Sequence, residues 1–159
     1  MASTLHLIVL NFFLSLIPIV EAKFAIPFTI SRGLHPALAF LSSLLAGIFG
    51  AIILFLFLDF IHARLLKYSF YKRSFNYAIV LIRKKEARIK DKMNKYGYLA
   101  LIVYVAIPLP IVGVYSGCII AWLLNLPRRK SILAISIGAA ISTLLVTLAS
   151  VGIISAFFA

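Results

Sequence analysis

Gly33 to Leu58 is a run of 26 residues without a charged side chain, and no other feature limits the folding of this chain as strongly. As a helix rising 1.5 Å per residue it extends about 39 Å, more than the roughly 30 Å hydrocarbon core of a bilayer. Met1–Val20, Tyr96–Pro127 and Ser131–Ala159 are free of charge as well. An ordinary soluble domain is about half apolar and a quarter charged. Here 64% of 159 residues are hydrophobic and 13% charged, with a mean hydropathy of +1.11. Soluble, disordered and disulfide-scaffold classes are excluded, and a single cysteine, Cys118, permits no internal disulfide. The expectation is an all-α integral membrane protein forming one domain over 1–159.

The charges that remain write a topology. Sixteen Lys and Arg stand against four acids, a formal net charge of +12. Eleven of the basic residues fall between Asp59 and Lys95, and Arg128-Arg129-Lys130 forms a second block. By the positive-inside rule both blocks are cytoplasmic faces of a multi-pass protein of the cell membrane. The 32 residues between them, 96–127, must then enter the bilayer and return, yet two full spans need about 40. A re-entrant hairpin fits, broken at Pro108-Leu109-Pro110, where prolines remove backbone donors. The segment 131–159 then crosses outward.

The first third mirrors this arrangement. Pro18 and Pro27 interrupt an apolar stretch, so 1–32 is expected to dip in from outside as a first hairpin, followed by a transmembrane helix over 33–58. Ala25-Ile26-Pro27-Phe28 echoes Ala106-Ile107-Pro108-Leu109. The expected architecture is therefore an inverted repeat of two units, each a re-entrant helical hairpin plus a transmembrane helix, a design associated with secondary transporters. The rival reading of 1–23 is a signal peptide; the missing basic n-region and the position of Pro18 argue against it. Between the units, 59–95 carries Phe75, Ile79, Ile82, Ile89, Met93 and Tyr96 at helical spacing with lysines on other faces. This is the pattern of a basic amphipathic helix on the membrane surface, with anionic lipid headgroups as partners. The same charge in a soluble protein would raise nucleic acid; here it is not expected. A homo-oligomer is left open.

Glu21 is the informative acid. It lies between Pro18 and Pro27, outside the basic block, and a charged side chain at bilayer depth costs about 2.5–3.5 kcal/mol on insertion scales. It must pair with Lys23 or Arg32, face a water cavity, or be protonated, which makes it a candidate site for protons or small ions. The alternative is a hairpin tip in the headgroup layer with both ions hydrated. Gly113, Gly117 and Ala121 form a small-residue ladder suited to close helix approach, whereas Tyr115 and Ser116 are hydroxyls beside an unwound backbone where a substrate could bind. Ser42, Ala46, Gly50 and Ala134, Gly138, Ser142 are similar packing ladders; Asn11 and Asn125 are amide candidates for burial without an evident role. Enzyme signatures are thin. Gly113-x-x-Ser116-Gly has one residue too many for a nucleophile elbow, His6, His35 and His62 lack metal spacing, and no glycine-rich phosphate loop exists. An enzyme, a metal and a cofactor are not expected.

Pro18-Ile-Val-Glu21-Ala-Lys23-Phe-Ala-Ile-Pro27 resembles the proline–glutamate–basic–proline signature of the small multidrug export protein family. Tyr96-Gly97, Ala106-Ile-Pro108-Leu-Pro110-Ile-Val-Gly113-Val-Tyr-Ser-Gly117 and Arg128-Arg129-Lys130 resemble its second half. Lys23 and Val112 depart from the Arg and Thr that the pattern leads one to expect there. The family is similar to the DedA/VTT superfamily, and that likeness implies paired re-entrant hairpins and lipid-carrier translocation or scrambling. The combined expectation is a proton-coupled transporter of a small or lipid-like anion. Lipid scrambling without ion coupling and a scaffold or assembly factor are the alternatives. The tips of the two hairpins should meet, bringing Glu21 or Lys23 close to the Pro108–Tyr115 turn.

Overall fold

The computed structural model describes residues 3–18, 20–65, 90–109 and 112–158. Among these the chain is helical and contains no strand, in six helices. Ser3 caps α1 (Thr4–Leu16), its hydroxyl accepting from the His6 N–H at 3.3 Å. The chain turns through Pro18 and returns as α2 (Glu21–Ser31). Gly33, at a φ of 94° that only glycine adopts without cost, turns it again into α3 (Pro36–Leu65). The second half comprises α4 (Lys90–Ala106), α5 (Val114–Leu123) and α6 (Arg128–Phe158). Asn125 closes α5 in the left-handed conformation, φ 51°, and the Leu126 N–H returns to the Ala121 carbonyl at 3.0 Å. Asn125 is exposed, so it is a helix stop rather than a buried amide.

Among the described residues two helices are long and apolar enough to cross a bilayer, Pro36–Ile61 and Arg128–Ile154. The apolar helices Thr4–Leu16, Tyr96–Ala106 and Val114–Leu123 are shorter; ten to thirteen residues extend about 15–20 Å, roughly half a hydrocarbon core. The surface is inverted relative to a soluble protein. Leu5, Leu45, Leu56 and Leu133 are 60% exposed or more, while Asn11, Thr29, Ser43 and Ser131 are buried. Only a hydrocarbon solvent favours that distribution, and the chain is a membrane protein.

Several boundaries differ from expectation, among them the start of α6, which is Arg128 instead of Ser131. α3 continues to Leu65 instead of ending at Leu58, and α4 starts at Lys90 instead of Tyr96. A charge marks where a helix meets water, and it does not stop the backbone ladder. Pro27 does not break α2 but lies inside it. Proline removes one N–H, and a helix packed by its neighbours tolerates that loss; α2 packs against α1, α3 and α6. Of the amphipathic segment expected over 59–95, residues 66–89 lie outside the described residues, as does Pro110.

α3 and α6 pack together, α1 packs on α3 and α2, α4 packs on α6 and α5, and α2 and α5 each touch both α3 and α6. Exchanging the first three helices for the last three leaves this list unchanged. Asp59 in the last turns of α3 accepts from Trp122 Nε1 at 2.9 Å and from Arg128 Nη2 at 2.7 Å and Nε at 3.2 Å. The end of α3, the end of α5 and the start of α6 therefore occupy one end of the bundle, and α3 and α6 run antiparallel. Arg128 also lies over the Phe55 ring, 5.2 Å from its centroid. One apolar cluster fills this end around Phe55, Leu101, Val105, Cys118 and Ile135. A smaller one, Leu7, Ile26, Leu34 and Ala39, fills the other end.

Candidate functional site: a polar junction between two chain breaks

Each break leaves backbone groups that hydrocarbon cannot satisfy, at several kcal/mol apiece. The two breaks satisfy one another. Tyr115 in the first turn of α5 donates its hydroxyl to the Leu16 carbonyl at the end of α1. In return Lys23, in the first turn of α2, donates to the Leu109 carbonyl at 2.7 Å and to the Val112 carbonyl. Lys23 also pairs with Glu21 Oε2 at 3.0 Å; their side chains are 11% and 13% exposed. The pairing partner of Glu21 is thus Lys23. Arg32, at the far end of α2, is exposed and stacks over Phe28 at 4.4 Å, so it does not join the site.

Glu21 has a φ of 43°, a left-handed backbone that costs a non-glycine residue about 1–3 kcal/mol. Its carboxylate rests against Gly113. A Cβ at position 113 would lie 2.7 Å from Glu21 Oε1 and 2.8 Å from Cδ. Gly113 has an extended φ of 177°, so glycine is required here for space and not for conformation. Ser116 accepts from the Gly113 N–H at 3.0 Å and donates to the Gly113 carbonyl at 3.2 Å, which fixes the entry to α5. The positive ends of α2 and α5 both favour a carboxylate at this place.

The junction encloses a cavity of about 30 Å³, lined by Glu21, Lys23, Gly113 and Tyr115 together with Ser15, Ser43, Ser142 and Thr143. That volume accommodates one or two waters. A hydrogen-bonded chain leads away from it. Ser15 and Ser43 share a bond of 2.8 Å. Asn11, fully buried, shares its two amide N–H groups among Ser43 at 2.8 Å, Ser42 at 2.7 Å and the Ala39 carbonyl at 3.0 Å, and its oxygen accepts from Thr29 at 2.9 Å. On its other side Lys23 borders an open groove of about 350 Å³ with Pro27, Pro108 and the second half of α6.

Of the residues singled out by sequence, Glu21, Lys23, Gly113 and Tyr115 meet at the cavity, and Ser116 braces Gly113. Pro18 lies in the first break, while Pro27 and Pro108 border the groove. Gly50 and Gly47 admit Tyr115 and Val114, and Gly117 and Gly138 close on Val105, as packing ladders do. Sequence reasoning missed Ser15, Ser43 and Thr143 and took Ser142 for packing. The available signal was Asn11 with Ser15, four residues apart and so on one helix face. No group of three or more His, Cys, Asp or Glu side chains forms among the described residues.

No curated protein and no solved structure matches the chain significantly. The small multi-drug export proteins match residues 21–145, from the strained Glu21, just past the first chain break, through the second break to the middle of α6, and the chain belongs to that family.

Proposed function

We propose that the protein is a secondary transporter of the cell membrane in which Glu21 carries a coupling proton. The observation that carries this reading is the placement of a strained, shielded carboxylate beside a hydroxyl-lined cavity where two broken helices meet. The family's description as an exporter agrees with transport. The two hairpins are read as re-entrant halves of an inverted repeat, with both basic ends cytoplasmic. The contact list that survives exchange of the halves supports this, as does the joining of Asp59 to Arg128.

Lys23 has three N–H donors, and Glu21 with two carbonyls engages all three. An anion therefore cannot bind Lys23 while Glu21 is charged. Protonating Glu21 removes the charge partner and releases Lys23 to the groove, where an anionic headgroup can replace the carboxylate. Loss of the proton reverses the exchange. Proton and anion then move together. The apolar residues Leu145, Val146 and Ile153 along the groove suit a cargo with a hydrocarbon tail, in line with the resemblance to the DedA/VTT proteins.

The same groove favours a second reading, lipid scrambling without ion coupling; a scaffold would need neither groove nor proton. Reconstitution into liposomes with an internal pH-sensitive dye separates them. Glu21→Gln should abolish substrate-driven proton entry while the protein remains folded. Unchanged coupled flux in that variant would overturn the assignment of Glu21. Lipid exchange that persists in both proteins without proton entry would support scrambling.

A further inference from the structure

Three oxygens from two separate hairpins converge on one nitrogen. Lys23 Nζ lies 3.0 Å from Glu21 Oε2 and 2.7 Å from the Leu109 carbonyl, and it donates to the Val112 carbonyl as well. The two carbonyls belong to the unwound break between the end of α4 and the start of α5. Carbonyls of unwound backbone, joined by a carboxylate, are the groups with which membrane proteins replace the hydration shell of an alkali cation. An ammonium is a compact point charge, and a spherical ion mimics it in a way it cannot mimic the planar fork of Arg. Across Glu21, the cavity adds the hydroxyls of Ser15, Ser43 and Thr143, which are neutral oxygen donors.

We infer that this oxygen set is a monovalent-cation site, filled in the native chain by the tethered ammonium of Lys23. The ligand class is a potassium-, ammonium- or primary-ammonium-sized ion. The consequence for the native protein is that no free alkali cation is needed to hold its two hairpins together. The inference concerns binding and stability, and it stands or falls separately from proton-coupled transport.

Full-length protein in detergent micelles can be melted at constant pH and ionic strength in choline, sodium, potassium, ammonium or methylammonium chloride. Lys23→Ala removes the tether and opens the site. It should melt below the native chain in choline and regain roughly 3 °C or more in potassium, ammonium or methylammonium, while the native melting temperature stays the same in all five salts. Lys23→Met, which fills the path without a charge, should show no such response, and Glu21→Gln combined with Lys23→Ala should lose it. Equal melting of Lys23→Ala in every salt would overturn the site. A native response as large as that of the variant would also overturn it. Should Lys23→Ala fail to fold in choline, recovery of folded protein only when purified in potassium or ammonium supports the site. Recovery in none of the salts, beside a folded Lys23→Met, refutes it.

Discussion

Glu21 and Gly113 divide a space that has room for one side chain. The carboxylate occupies it, and its partner has given up even a Cβ. Gly113→Ala therefore forces an overlap of the kind that costs about 1–3 kcal/mol in packed interiors. The clash is with a specific group, which makes the remedy specific. Glu21→Asp withdraws the carboxylate by one methylene, so the double variant should recover part of the stability that Gly113→Ala loses, as a thermal melt in detergent would read. If the two losses simply add, the carboxylate does not lie against position 113. Asn11 shows the opposite economy. Its amide is surrounded by hydroxyls, yet the one Thr29 hydroxyl that it shares also lies 2.9 Å from the Ala25 carbonyl, and Ser42 donates to the Leu38 carbonyl at 2.7 Å. Those hydroxyls keep backbone partners if Asn11 is lost, so its bonds fix the packing of α1 on α2 and α3 more than they rescue orphaned groups.

Among the helices, α5 is held at both ends by contacts outside itself. Tyr115 ties its start to α1, and Trp122 ties its end to Asp59 of α3, which also holds Arg128 of α6. The Asp59–Arg128 pair is half exposed, with side chains 48% and 34% accessible, so its removal should cost under about 1 kcal/mol of stability. Its effect should appear in opening instead. Cys118, buried on α5 against the Ala51 carbonyl of α3, is a native reporter of that interface. Asp59→Asn should leave the melting temperature within a few degrees of native and accelerate labelling of Cys118 by a membrane-permeant maleimide several-fold. Labelling at the native rate would mean that the latch does not govern the α3–α5 contact.

For the whole molecule, the proposed sidedness rests on charge and on the joining of Asp59 to Arg128. If the basic blocks are both cytoplasmic, a cysteine replacing Arg129 in a Cys118→Ser background should react with an impermeant maleimide only after the cytoplasmic face is opened. Labelling from outside intact cells would mean that 96–127 crosses the bilayer once, and the pairing of two re-entrant halves would fail. Exposed leucines on the outside belong to this scale as well, while the hydroxyls of Ser15, Ser43, Ser142 and Thr143 line the cavity beside Glu21 and Gly113.

Membrane spans and breaks were legible because a bilayer sorts residues by charge along the chain. Uncharged runs placed α3 and α6, and Pro18 and Pro108 placed the two breaks. The orphaned backbone at each break was enough to anticipate that Glu21 or Lys23 would approach the Pro108–Tyr115 turn. Other features depended on neighbours distant in sequence. Proline at 27 reports a missing N–H, but whether the helix continues is decided by what packs around it. Ser15, Ser43 and Thr143 look like any helical hydroxyls, since each can bond to its own helix, and only assembly turns them towards a common cavity. Lys23 was legible as an ion needing a partner in a low-dielectric environment. Its carbonyl partners, 86 and 89 residues further along the chain, were not, because a backbone carbonyl is the same at every residue and only its position in space selects it.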